Sequence, residues 1–150
     1  MAAEYFASSQ AVALNNPIDF EASIPCTKGY VFHENGTGVF TLRGVTTNCF
    51  ARYQVVFNGN ISIPEAGAVT AIALGIKVSG ETKNSSTAVF TPQSENEEGN
   101  VTCTAIITVP RGCCKNISID YVDATVNDAA VTPTPTITVN NGNLVISRIA

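Results

Sequence analysis

One hundred and fifty residues make one domain of ordinary size, long enough to bury a core without staples. Hydrophobic residues are 45% of the chain and charged residues only 13%, against roughly 25% in average soluble proteins, so the surface must be neutral and polar or hidden in contacts. The net charge is −4 and the 8 Lys and Arg stand singly along the chain, which excludes a basic footprint for nucleic acid or a membrane surface.

The chain begins MAAEYFASSQAVALNNP, with neither a positive n-region nor an apolar run of h-region length. The expectation is synthesis in a cytoplasm without Sec export. No apolar stretch approaches the roughly 18 residues that a spanning helix needs. Tyr5, Phe6, Val12 and Leu14 make Met1–Asn15 more apolar than a solvated tail. This predicts an assembly arm that contacts a neighbour, with the domain's own strands starting later.

Strand follows strand from there. Short candidates lie at Val12–Leu14, Ile18–Phe20, Tyr30–His33 and Val39–Arg43. Ala51, Tyr53, Val55 and Phe57 alternate with Arg52, Gln54 and Val56. Ile72, Leu74, Ile76 and Val78 form one face of the next run, and Thr87–Thr91 is a shorter one. Val101, Cys103, Ala105, Ile107 and Val109 against Thr102, Thr104 and Thr108 give the cleanest period of two. Ile117, Ile119 and Tyr121 oppose Asn116, Ser118 and Asp120, and Ile137–Val139 follows after Pro133 and Pro135, which mark an edge or loop. Turn chemistry separates the runs: Asn35-Gly36-Thr37-Gly38, Asn58-Gly59-Asn60, Pro110-Arg111-Gly112, and Asn141-Gly142 as the strongest hairpin signal. Gln93–Gly99 reads as a polar loop. No window carries a helical period with caps.

The last eight residues, NLVISRIA, are apolar on both faces of a strand: Leu144 and Ile146 on one, Val145 and Ile149 on the other. A terminal strand of this kind needs a second cover, and another copy of the subunit is the simplest. The pattern predicts an all-β, antiparallel sandwich or barrel of about ten strands. One domain spans 1–150, with 1–15 as its arm. It is expected to assemble as a trimer through Tyr5, Phe6, Leu144, Val145, Ile146 and Ile149.

Chemistry is sparse. Cys26, Cys49, Cys103, Cys113 and Cys114 form no CxxC spacing, and the single His33 joins no metal motif, so no zinc site is expected. The thiols read either as small buried apolar groups or as one or two late disulfides. Cys103 and Cys113 share the parity of core-facing neighbours and are the first pair to test. With one histidine, no Trp and no G-x-S-x-G, neither a nucleophilic triad nor any other enzyme is expected, and His33 beside an Asn-Gly turn reads as a surface polar group. Glu95, Glu97 and Glu98 read as a solvated charge run. Five N-x-S/T triplets, from Asn35, Asn60, Asn84, Asn100 and Asn116, follow from richness in Asn and Thr.

Asn16-Pro17-Ile18-Asp19-Phe20, then Gly38–Gly44 (GVFTLRG), then the closing NLVISRIA resemble, in that order, three strands of the tumour-necrosis-factor and complement globular-head jelly rolls. The bacterial members are similar in flavour: the heads of collagen-like spore-surface proteins and small prophage-encoded proteins of gut Firmicutes. The resemblance implies the jelly roll. Because related heads carry Ca²⁺, it also makes Asp120, Asp123 and Asp128 oxygen ligands to consider, although no EF-hand spacing is present and no cofactor is expected.

The leading functional expectation is a non-enzymatic structural protein on a particle exterior, a phage virion component of the head-decoration or fibre-tip type. Its partners would be itself and other particle-surface proteins. A spore-surface or spore-appendage subunit is its sibling. The third reading is a jelly-roll module for a host glycan or receptor.

Overall fold

The structure, a computed structural model, describes residues 2–126, 129–130 and 134–150. Met1, Asp128 and Pro133 lie outside the described residues. The period-two runs become two antiparallel sheets. In the first sheet the order is β10 (Gly99–Pro110), β6 (Phe50–Ser62), β14 (Ile137–Arg148), β1 (Ala2–Ala7), β3 (Glu21–Ile24), with β2 (Gln10–Val12) also against β14. In the second it is β4 (Val31–His33), β5 (Phe40–Arg43), β11 (Cys114–Val122), β7 (Ile72–Val78), β8 (Glu81–Thr82), with β9 (Ala88–Phe90) also against β7. A ribbon of β12 (Thr125–Val126) and β13 (Ala129–Ala130) follows β11, and Asn84–Ser86 is a single 3₁₀ turn. Among the described residues no helix is long and apolar enough to cross a membrane.

The sandwich is the expected jelly roll, with more and shorter strands than ten because several edges are broken into pairs of small segments. Alternation decides which side chains go inside. Tyr53, Val55 and Phe57 on β6, Cys103 and Val109 on β10, Leu74 and Ile76 on β7, and Leu144 and Ile146 on β14 are fully buried between the sheets. Phe20, Phe40, Phe57 and Tyr5 form an edge-to-face chain at the centre, with ring centroids 4.7 to 6.0 Å apart. Ile18 and Phe20, from the Asn16–Phe20 motif, are buried because residues 15–18 run beside β11 where β5 has ended: the Ile18 amide donates to the Ile119 carbonyl at 2.8 Å.

Three expectations change. Within the expected arm, 1–15, the described residues 2–15 belong to the domain itself. β1 pairs with β14 over six positions, from Ala2↔Ser147 to Ala7↔Gly142, and lies between β14 and β3. Three of its apolar side chains, Ala3, Tyr5 and Ala7, fill this protomer's own core, as does Val12, while Phe6 faces out. Asn141-Gly142 is not a hairpin and Asn58-Gly59-Asn60 does not end a strand. Both lie inside long strands, where Gly142 pairs with Gly59 beside a register shift between Val139 and Asn141. These glycines provide space and not a left-handed turn. An added Cβ would sit 2.6 Å from the Phe57 ring at Gly59 and 2.8 Å at Gly142. The turns that do need positive φ are elsewhere, at Gly36 (85°) and Gly112 (76°).

Candidate assembly face and the two ends of the sandwich

The sites worth weighing follow from the strand register. On the solvent side of the first sheet, side chains stand in rows that cross β10, β6, β14 and β1. One row is Thr104, Val56, Val145, Glu4; its neighbours are Ile106, Gln54, Ser147, Ala2 and Thr102, Asn58, Asn143, Phe6. Within these three rows Glu4 is the one charged residue. Phe6 and Ile106 stand 44% and 54% exposed at opposite margins, with Val56 and Val145 partly exposed between them. Among the described residues β10 pairs only with β6, so twelve residues of edge strand lie beside this charge-poor face.

The six residues expected at an assembly interface therefore divide. Phe6, Val145 and Ile149 face outward, Ile149 at 48% exposure. Tyr5, Leu144 and Ile146 are within 2% of complete burial inside the protomer and cannot meet a partner. The period of two put Leu144 and Val145 on opposite faces correctly; what it could not say was which face already had cover.

A polar concavity of about 270 Å³ continues the same face, lined by Asn58, Asn60, Asn100, Asn141 and Asn143 above Gly59 and Gly142. The Asn100 carboxamide donates to the Asn58 and Asn60 side-chain oxygens at 2.6 and 3.1 Å.

The cysteines contradict the proposed bridge. All five are free. Cys103 is wholly buried on β10, its Sγ 3.4 Å from the Leu74 carbonyl, and burial pushes its thiol up to about 11. Cys113 is exposed in the turn beyond the end of β10, roughly 20 Å of extended strand away, whereas a disulfide needs Cα atoms within about 7 Å. Parity along the sequence was misleading because Pro110–Gly112 reverses the chain between them. Cys26 is different. Burial raises its pKa, but the backbone N–H groups of Val31, Lys28, Tyr30 and Gly29 face the sulfur and together hold the thiol below its ordinary value.

His33 is not a free surface group. Its ring stacks on Phe40 at 4.1 Å with an interplanar angle of 12°, and Nε2 lies 2.9 Å from the Thr37 carbonyl, which fixes the proton on Nε2. Asp120 is 4% exposed, receives a hydrogen bond from Ser118 and pairs with Lys77 at 3.5 Å. Among the described residues no three of His, Cys, Asp and Glu converge on a metal-sized space.

Sequence reasoning missed one feature of charge. The cations stand singly in sequence but not in space. Lys28, Arg43, Arg52, Arg111, Lys115 and Arg148 all lie at the end of the sandwich formed by loops 25–30, 44–49 and 111–113. Those loops contain no Asp or Glu; Glu81, on β8, lines one concavity with Lys115. Three of these cations donate to main-chain oxygens: Arg43 to Gly29, Arg111 to Thr47 and Arg148 to Ala150. Four of the five thiols, Cys26, Cys49, Cys113 and Cys114, share this end. The opposite end gathers Asp19, Glu21, Glu34, Glu65, Glu95, Glu97, Glu98 and Asp123, and its loops contain no Lys or Arg.

No family model matches this chain, and no curated protein does. Solved structures do. The globular domain of zebrafish complement 1qA protein aligns over 99% of this chain and 97% of its own, at 13% identity and a TM-score of 0.61. An Eiger TNF from S. frugiperda aligns over 100% and 92%, at 10% identity and a TM-score of 0.66. Murine APRIL aligns over 96% and 98%, at 8% identity and a TM-score of 0.53. At these identities the likeness is one of fold: this is a jelly roll of the tumour-necrosis-factor and complement-head type.

Proposed function

We propose that the protein is a non-enzymatic surface module that assembles with copies of itself as a trimer, through the outer face of its first sheet. One observation carries this reading: a charge-poor face with apolar Val56 and Val145 at its centre, Glu4 the one charge in its three central rows, bordered by the long edge strand β10. A charge-poor face loses little on desolvation, and an edge strand of twelve residues with one pairing partner favours association. Edge and face are different patches. Docking one copy's edge on the next copy's face is a heterologous contact, which closes only as a ring, and three is the smallest ring beyond a dimer. The setting that suits such a module is a particle exterior, a phage head decoration or fibre tip, with a spore surface as the alternative; the low charge and the Asn- and Thr-rich surface support it.

Sedimentation at micromolar concentration is expected to give three times 15.7 kDa. Val145→Asp places a charge on the half-exposed outer face and should give a folded monomer. A wild-type monomer, or a Val145→Asp trimer, overturns the reading. A glycan-binding module is the second reading, favoured by the carboxamide-lined concavity, because Asn side chains match the donor and acceptor pattern of sugar hydroxyls.

A further inference from the structure

We propose that the basic end of this sandwich docks on the acidic end of a second copy, so that copies stack end to end in line with the strands. Charge complementarity between the two ends carries the argument. Lys28 and Arg111 at one end are exposed and neither pairs with an Asp or Glu, Lys77–Asp120 being the one side-chain ion pair among the described residues; Arg148 is already held, by the oxygen of Ala150 and over the Tyr30 ring. Glu95 and Glu98 at the other end are exposed too. The ends cannot satisfy each other within one molecule. β6 alone runs thirteen residues between them, roughly 40 Å at about 3.3 Å per residue, several times the screening length of about 8 Å at physiological salt. They can do so only across a contact between molecules. Because the two ends differ, the contact is heterologous and does not close, which yields open stacks.

The stacking differs from the sheet-face assembly in surface and in physics, so the two can be separated. The sheet face carries few charges and its association should resist salt; the ends are charged and theirs should not. Thiols report on the basic end directly, because Cys113 and Cys114 are exposed there and the acidic-end loops hold no cysteine to bond with them. Stacks are therefore non-covalent and indifferent to reductant.

The test is light scattering of the full chain, fresh and reduced, between about 0.01 M and about 1 M salt, over which the screening length falls from roughly 30 Å to 3 Å. The expected result is a mean mass at low salt at least twofold that at high salt, with alkylation of Cys113 and Cys114 slowed several-fold at low salt. Lys28→Glu with Arg111→Glu should abolish the low-salt gain, and so should Glu95→Lys with Glu98→Lys. Mixing the two variants should restore it, since each then offers the other complementary ends. All four positions are exposed, and an unchanged melting temperature confirms folding. A mass independent of salt, or a mixture that fails to recover, overturns the proposal. So does a basic end that binds added poly-glutamate while the protein alone stays unstacked, which would assign that end to a foreign polyanion. The Val145→Asp monomer should still stack, which keeps this outcome distinct from failure of the sheet-face assembly.

Discussion

Tyr5 is the residue at which sequence and packing meet most directly. It stands in the core at 2% exposure, edge-on to Phe40 and His33, and burial, with a smaller contribution from Cys26, pushes its hydroxyl up to about 12. Tyr53 and Tyr121 are raised as well, burial being the largest cause in both. A group whose folded pKa lies above its unfolded one stabilises the fold fully below the unfolded value, and that contribution is lost as pH rises through the folded one. Stability should therefore begin to fall from about pH 9, where an unfolded thiol ionises and buried Cys103 does not, and fall steeply from about pH 10, the ordinary tyrosine range, towards about pH 12. Denaturant midpoints measured across that window should show the decline, and Tyr5→Phe should make it shallower. Tyr53 gives a second measurement. Its hydroxyl lies 2.6 Å from the Arg43 carbonyl and 3.1 Å from that of Tyr30, both part-buried, and Tyr53→Phe should cost about 0.5–1.5 kcal/mol, the net worth of a hydrogen bond.

At the scale of elements, much of the sheet was legible. The Val101–Val109 and Ala51–Phe57 runs lie in β10 and β6 with the predicted faces inward, because period-two alternation is a direct image of one covered face. The Asn-Gly pairs were misread because glycine serves two physical purposes that look alike in sequence. At Gly36 it supplies positive φ; at Gly59 and Gly142 it makes room for Phe57. The second purpose depends on a residue brought near by strand pairing, and so no local pattern carries it. Gly142→Ala should accordingly destabilise by about 1–3 kcal/mol through overpacking, and pairing it with Phe57→Leu should cost less than the sum of the two alone. The N-terminal segment was misread for a related reason. Tyr5 does need cover, but β14 and β3 hold its strand in the sheet and His33 and Phe40 of the second sheet cover its ring, while Phe6 stays exposed on the outer face.

For the whole molecule, the candidate sites depend on topology more than on motif. In an antiparallel sandwich, successive connections alternate between the two ends, so cations spread along the sequence gather at one end when they fall in alternate loops. Lys28, Arg43, Arg111 and Arg148 are far apart in the chain and become neighbours only when β3, β5, β10 and β14 are in place. The same folding separates Cys103 from the other four thiols. It sits inside the sheet pair at 0% exposure while the remainder face the basic end. A mild disulfide-forming oxidant such as diamide should therefore link molecules through Cys49, Cys113 or Cys114 and leave Cys103 unmodified. Two basic ends repel, so the linked dimer should form faster at high salt, where the screening length shrinks to a few ångströms, roughly 3 Å at 1 M. Non-reducing gels followed by peptide mapping check this. A bridge containing Cys103 would mean that β10 leaves the sheet under native conditions, and a rate that falls with salt would mean that the cations do not share an end.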